Sequence, residues 1–254
     1  MGQLEGLATS CYNKEMLLLD LTLPTPEENL ALDEALLDVA EEASQPAEVL
    51  RFWEADRPLV VLGRSSKAAE EAQLEPCKNA GVPVLRRCSG GAAIVAGPGC
   101  LMYAVVLSYE LHPELRALDL AHRFVLSRLR DALLPLVPSV QIRGTSDLAV
   151  GESKFSGNSL RCKRNHLLYH GTLLYDFDVS LFDKYLGSAP RQPAYRKGRT
   201  HRQFVANIPL SSAEMKQAIS AVFQASRECT QWPREMVHQL VKERYSEESW
   251  NLRH

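Results

Sequence analysis

Residues 147–159, DLAVGESKFSGNS, set one lysine, Lys154, behind a turn (Gly151-Glu152-Ser153) and ahead of the small polar run Ser156-Gly157-Asn158-Ser159. An ammonium on a strand edge in such surroundings reaches a bound phosphate or carboxylate as a compact point charge. There it stabilises the oxyanion that develops during acyl or adenylyl transfer. Asp147 offers a carboxylate that either holds Mg²⁺ beside phosphate co-ligands or orients Lys154. His170-Gly171-Thr172 falls on the following expected strand, close enough across a hairpin to face the same pocket. Each of these residues also has an ordinary reading: a solvated lysine, a turn-capping aspartate, a hydrogen-bonded structural histidine.

A second group of residues spans 86–99, RRCSGGAAIVAGPG. Gly90 and Gly91 permit positive φ and let a ligand approach the backbone. Exposed N–H groups in such a turn form an anion-binding nest, and Arg87 could add a bidentate contact to a phosphate or carboxylate. The competing reading is a strand crossing whose small residues allow close packing. No GxxxxGK[ST] occurs in the chain, so this is not a P-loop of that type.

The elements that must position these residues follow from periodicity and punctuation. MLLLDL (16–21) reads as a short buried strand. Thr25 and Pro26 then mark a helix start, and Leu30, Ala31, Ala35, Leu36, Val39 and Ala40 form its apolar face. Strands are expected at 49–53, 58–62, 82–87 and 101–108, with a helix over 67–80 and another over 117–134 that ends at Pro135. Residues 140–176 alternate strand and turn, a short helix covers 180–186, 187–204 is loop-like, and helices at 211–225 and 232–245 close the chain. A strand-rich middle with helices at both ends predicts an α+β fold around a central mixed or antiparallel sheet, not a doubly wound parallel one. We expect a catalytic domain over 1–210 and a short helical extension over 211–254 packed on it.

With 254 residues, 45% of them hydrophobic and 24% charged, the composition is that of a soluble globular protein. A net charge of −2 gives no case for nucleic acid as the main ligand. Charge is concentrated locally in the basic stretch 191–202 (RQPAYRKGRTHR), which either docks an acidic partner or is a solvated loop. Cys11, Cys77, Cys88, Cys100, Cys162 and Cys229 show no CxxC or zinc-like spacing, so reduced thiols are expected. The start MGQLEGLATS has no signal-peptide character, and Gly6 stands where a myristoylation signal would want Ser or Thr. No apolar run approaches the roughly 18 residues of a membrane span. A cytoplasmic location away from membranes is expected.

Taken in order, RRCSGGAAIVAGPGC, SDLAVGESKFSGNSLR and LYHGTLLYDFD resemble the lipoate–protein ligase A family of the biotin/lipoate ligase superfamily. NLALDEALL and VVLGR look like further family features, and the resemblance covers roughly residues 16–210. It implies an acyl-adenylate bound across the sheet. Arg87, Ser89 and the Gly90, Gly91, Ala92, Ala93 and Ile94 backbone would line the lipoyl and adenylate pocket, together with Ser156, Gly157, His170, Gly171 and Thr172. Lys154 matches the lysine that contacts the acyl carbonyl and α-phosphate, and Asp147 an acidic residue near metal and phosphate. Three departures stand out. Ala96-Gly97 replaces the family's His-Asp, Gly99-Cys100 replaces its Gly-Asn, and Ala92 replaces its third glycine, which removes polar contacts to the nucleotide or magnesium side.

The implied activity is that of a lipoate–protein ligase with ATP and Mg²⁺ as co-substrates. The acceptor would be a lipoyl domain (a 2-oxoacid dehydrogenase E2 or a glycine-cleavage H-type protein), with a separate accessory subunit as a further partner. The alternatives are an ATP-independent octanoyl or lipoyl transferase and a degenerate lipoyl-domain binder. Related octanoyltransferases use a cysteine shortly before or well after the lysine motif. Residues 140–153 and 178–200 contain none, so direct adenylate chemistry is expected.

Overall fold

The computed structural model describes residues 16–187 and 192–254. Its first helix, α1 (Pro26–Glu42), begins as the sequence dictates: the Thr25 hydroxyl accepts from Glu28 N–H, and the Glu28 carboxylate accepts from Thr25 N–H. The helix is buried well beyond the expected apolar face. Leu32 and Leu37 are fully covered, and the polar Asn29, Asp33 and Glu34 are buried too.

Those polar groups are covered because α1 lies between the main sheet and the C-terminal helices. The main sheet has eight strands: β1 (Leu17–Asp20), β2 (Val49–Glu54), β6 (Cys100–Ser108), β7 (Val140–Arg143), β8 (Asp147–Val150), β9 (Ser153–Cys162), β10 (His166–Leu174) and β11 (Arg227–Glu228). Their order is β11-β1-β2-β6-β10-β9-β8-β7. β11 and β2 flank β1 in parallel, and every other neighbour is antiparallel, so the sheet is mixed, as expected. A small sheet of order β4-β3-β5 is made by β3 (Leu59–Leu62), β4 (Val84–Arg86) and β5 (Ile94–Ala96).

Strand alternation sends successive side chains of the main sheet into two cores. On one face Trp53, Met102, Ala104 and Leu168 meet α1 and the small sheet. On the other, Phe52, Tyr103, Leu148, Phe155 and Tyr169 meet α4 (Leu118–Leu133) and α7 (Ser212–Phe223). Among the described residues no helix is long and apolar enough to cross a membrane.

Three expectations are corrected or sharpened. The helix expected over 67–80 is two, α2 (Ala68–Glu71) and α3 (Leu74–Asn79), separated where Ala72 bridges to Leu186. Pro76 has no N–H for the Ala72 carbonyl, so one continuous helix cannot form there. The segment 86–99, expected as either a ligand-gripping turn or a strand crossing, combines a loop at the glycines with a strand, since Ile94–Ala96 pairs with β3. The loop-like 187–204 holds, within its described part, a 3₁₀ turn at Ala194–Arg196 and α6 (His201–Phe204), while Arg191 lies outside the described residues. After α5 (Ser180–Tyr185) and α7, the chain ends in α8 (Arg234–Leu240), a wide π-type turn at Val241–Tyr245 and α9 (Glu248–Asn251). β11 joins the main sheet, while α8 and the wide turn lie against α1.

Candidate functional site

Lys154 owes its direction to a bulge. Between β8 and β9, Leu148 pairs with Ser156 but Ala149 pairs with Lys154, leaving Phe155 as one extra residue. The bulge lets Phe155 turn into the core with Leu148. It also brings Lys154 to the same face as Gly157, which pairs with Asp147. On that face Lys154 Nζ forms an ion pair with Asp147 Oδ1 at 2.6 Å; the lysine side chain is 28% exposed and the carboxylate 8%. Tyr195 Oη donates to the other carboxylate oxygen, Oδ2, at 2.8 Å. The Lys154 carbonyl accepts from Ala206 N–H, so its main chain is pinned as well.

Further along β9, the Ser159 hydroxyl donates to Gly90 O at 2.9 Å, so the glycine loop rests directly on the strand that carries the lysine. That loop is shaped by the two preceding arginines, which hold backbone rather than reaching outward. Arg87 is buried: Nε donates to Ser89 Oγ and Gly90 O, Nη1 to Val61 O, and Nη2 to Gly90 O and Ala92 O. Burial lowers its pKa to about 10, which leaves it a cation at neutral pH. Arg86, fully buried, donates to the carbonyls of Gly63, Ser66, Trp250 and Arg253. The VVLGR turn is therefore tied through Arg86 to the end of the chain. At Gly63 a Cβ would come 1.9 Å from Gly91 O, so the turn can pack on the loop only as glycine. Gly91 itself is at φ +85°.

His170 sits behind the loop. Its Nε2 is 2.6 Å from Ser89 Oγ and its Nδ1 is 3.1 Å from Asp33 Oδ2. Asp33 pairs in turn with Arg51, and neither is appreciably exposed. Burial alone would raise the Asp33 pKa, but the Arg51 charge and the His170 hydrogen bond together hold it below the usual carboxylate value. An ionised Asp33 only accepts, so His170 Nδ1 is the donor in that contact. Ser89 Oγ accepts from Arg87 Nε and shares a proton with Nε2. The result is a buried relay, Arg51–Asp33–His170–Ser89, anchoring the loop to the sheet and to α1.

The structure thus gathers Lys154, Asp147, Gly157 and Ser159 on one face of β8 and β9, where the exposed Gly90–Gly91 turn rests on Ser159 as the other wall of a candidate groove, and it places the buried Arg87, Ser89 and His170 beneath that turn as its supports. Gly171 and Ser156 fall on the opposite face. A Cβ on Gly171 would meet Asn158 Oδ1 at 1.9 Å, and the Ser156 hydroxyl accepts from Asn158. Thr172 Oγ1 stands 3.5 Å from Gly157 N–H. Ala93 and Ile94 leave the loop into β5, and Ala93 N–H is held by Glu71. Of the departures from the family pattern, Ala96 and Cys100 are packing positions here, while Ala92 stays in the loop and gives its carbonyl to Arg87. Ala96 is fully buried opposite Leu59, and Cys100 is buried beside Met102. At Gly99 a Cβ would lie 2.1 Å from the Asp176 backbone.

Asp33, Arg51 and Tyr195 carry no role in the sequence reading, and Ser159 enters it only as the end of the small polar run after Lys154. Arg51 did carry a signal: a charged residue inside the apolar strand VLRFWE must find a buried partner.

Among the described residues no group of three His, Cys, Asp or Glu side chains is placed to hold a metal ion. Both oxygens of Asp147 are already engaged by Lys154 and Tyr195, so this carboxylate fits orienting the lysine better than holding Mg²⁺. Cys88 and Cys100 are buried thiols, the first pushed well above the usual range by burial and the second to about 12. Cys162 and Cys229 are partly exposed.

Residues 25–225 match the family described as lipoyl protein ligase A/B catalytic domain. Similar relatives include the octanoyltransferase LipM of Carboxydothermus hydrogenoformans, 31% identical over 89% of this chain and 94% of that protein. Another is the lipoate-protein ligase A subunit 1 of Thermoplasma acidophilum, 27% identical over 91% of this chain and 95% of that one. Among solved structures, a putative lipoate protein ligase from T. acidophilum with bound lipoic acid superposes with a TM-score of 0.76 at 23% identity, covering 94% of this chain and 99% of the other. A lipoate-protein ligase A bound with ATP gives 0.76 at 24% identity, covering 94% and 98%. At these identities the structures speak for the fold.

Proposed function

The chain belongs to the family of lipoyl protein ligase A/B catalytic domains, and from that premise we propose that it is a lipoate–protein ligase acting through Lys154. The observation that carries this reading is the Lys154 ammonium, fixed by Asp147 on the face where the glycine loop meets β9. In the first step a lipoate carboxylate oxygen attacks the α-phosphorus of ATP and pyrophosphate leaves. In the second, the ε-amine of an acceptor lysine attacks the acyl carbonyl of lipoyl-AMP and AMP departs. Lys154 supplies positive charge to the carbonyl oxygen and α-phosphate as negative charge grows there. Exposed backbone at Gly90 and Gly91 lines the other side of the groove, with Arg87, Ser89 and His170 keeping it in shape. Magnesium arriving with ATP would be held chiefly by the nucleotide's phosphates, with Asp147 the nearest carboxylate.

The acceptor is a lipoyl domain of the E2 or H-protein kind. The exposed Arg202 of the basic stretch, and Lys197 in exchange for its surface pairing with Glu152, would meet its acidic surface, whereas Arg196 is buried and bound to the Arg199 carbonyl. A bipartite T. acidophilum lipoate protein ligase is known with its E2 lipoyl domain, which supports an accessory subunit here too.

A second reading, transfer of octanoyl or lipoyl groups without ATP, is favoured by the likeness to octanoyltransferases. Against it stands the groove's chemistry, an amine and a carboxylate, with the partly exposed Cys162 at the far end of β9. Mass spectrometry of a lipoyl domain incubated with the protein, lipoate, ATP and Mg²⁺ separates the two. A lipoyl mass gain lost in Lys154→Ala establishes the ligase. A gain from octanoylated carrier protein without ATP, and none with lipoate and ATP even after adding the accessory subunit, would refute it.

A further inference from the structure

Lys154 is gripped from outside its own hairpin. The segment from the 3₁₀ turn to Ala206 touches the β8–β9 hairpin repeatedly, and three of its contacts bear on Lys154 and its strand. Tyr195 Oη holds Asp147 Oδ2 at 2.8 Å, Arg199 Nη2 joins Glu152 O to Tyr195 O at 2.9 and 2.8 Å, and Ala206 N–H bonds to Lys154 O at 2.9 Å. Asp147 therefore has one oxygen for the lysine and one for the tyrosine. A carboxylate tethered through one oxygen alone can swing about its own bonds. Held at both, it fixes its direction and with it the ammonium's place over the strand.

We propose that Tyr195 is a positioning residue for the transfer reaction: by donating to Asp147 it fixes the carboxylate that aims Lys154 into the groove. The inference rests on the reading of Lys154 given above. Its ring is held independently of its hydroxyl, against Phe204 at 5.1 Å between centroids and beside Gly144, so the phenol arrives at Asp147 as part of a packed unit. Burial and the neighbouring carboxylate push the phenol's pKa up, so it stays a donor throughout the physiological range. The role is specific to a hydroxyl at this ring position, and phenylalanine keeps everything except the O–H.

The test compares the full-length protein with Tyr195→Phe, Asp147→Asn and the double variant. Trace acetylation with acetic anhydride, read by mass spectrometry, gives the reactivity of the Lys154 amine, with Lys216, ion-paired to Asp20 elsewhere, as internal reference. Transfer from preformed lipoyl-AMP to a lipoyl domain gives kcat and KM. In Tyr195→Phe we expect Lys154 acetylation to rise several-fold over Lys216. We expect kcat to fall roughly tenfold, the size of one hydrogen bond to a charged group, with KM for the acceptor unchanged. In the double variant, removing the hydroxyl should add nothing to Asp147→Asn. Unaltered Lys154 acetylation in Tyr195→Phe, or fully additive effects, would overturn the inference. Raised acetylation with undiminished transfer would leave Tyr195 as the anchor and instead sink the catalytic reading of Lys154.

Discussion

The ammonium of Lys154 lies across the backbone of Gly157: a Cβ built on that glycine would come 2.8 Å from Nζ and 2.9 Å from Cε. The obstructing atoms are the end of a flexible chain, so Gly157→Ala should fold normally and push the amine aside. We expect stability within about 1 kcal/mol of wild type and a transfer rate lower by roughly 100-fold, the cost of misplacing a catalytic group by an ångström. Gly63→Ala is the contrast, because its Cβ meets the Gly91 carbonyl. Thermal melts alongside transfer rates should show activity loss alone in the first and a lowered Tm in the second.

The Asp33–His170 contact predicts an acid-sensitive element. Asp33 titrates below its ordinary value in the folded protein. Its stabilising contribution is therefore complete above an unfolded pKa of about 3.9 and disappears as pH falls through the lower folded value. Asp33→Asn leaves Arg51 as a buried cation without its counter-charge and should cost about 3–5 kcal/mol at pH 7. Denaturant melts from pH 7 to pH 3 should show the gap between wild type and variant narrowing only at the acid end. A gap that closes near neutrality would refute this.

Arg86 should not tolerate lysine. One ammonium cannot reach the Gly63, Ser66, Trp250 and Arg253 carbonyls together. Arg86→Lys is expected to lose about 3 kcal/mol through orphaned buried acceptors, or roughly 6–12 °C in Tm for a chain of this size. Trp250, whose indole N–H donates to Arg86 O, should report the loosening as a shifted fluorescence maximum.

Thiol chemistry should prove irrelevant to the ligase. Cys162→Ser is expected to retain lipoyl transfer within about twofold, as surface substitutions usually do. Brief iodoacetamide treatment should spare activity, because Cys88 and Cys100 are buried and protonated. Inactivation that tracks alkylation of a single cysteine would point to a thioester route.

Much of this architecture was readable from local signals. The capping box at Thr25 and Glu28, the strand LMYAVVLS and the stop at Pro135 all rest on near neighbours in sequence. What escaped depended on distance along the chain. Asp33 looks like the solvent side of an amphipathic helix until Arg51 and His170 of the main sheet close over it. Tyr195 belongs to a stretch whose charge drew the eye, while its hydroxyl reaches back to Asp147. Arg87 was expected to meet a ligand, because a guanidinium beside glycines suits an anion. It is found bonded to the loop's own carbonyls, a use that spacing does not distinguish from the first.

The extra residue at Phe155 makes the length of this segment as informative as its letters. Delete one turn position while keeping both Lys154 and Phe155 and strict alternation returns with Phe155 opposite Ala149 and Lys154 on the other face. An amine would be driven among Leu148 and Tyr169 while an aromatic ring took its place in the groove. Chains that keep every motif residue but shorten this hairpin by one should therefore fail to fold as described, and spacing here is a criterion for recognising working relatives.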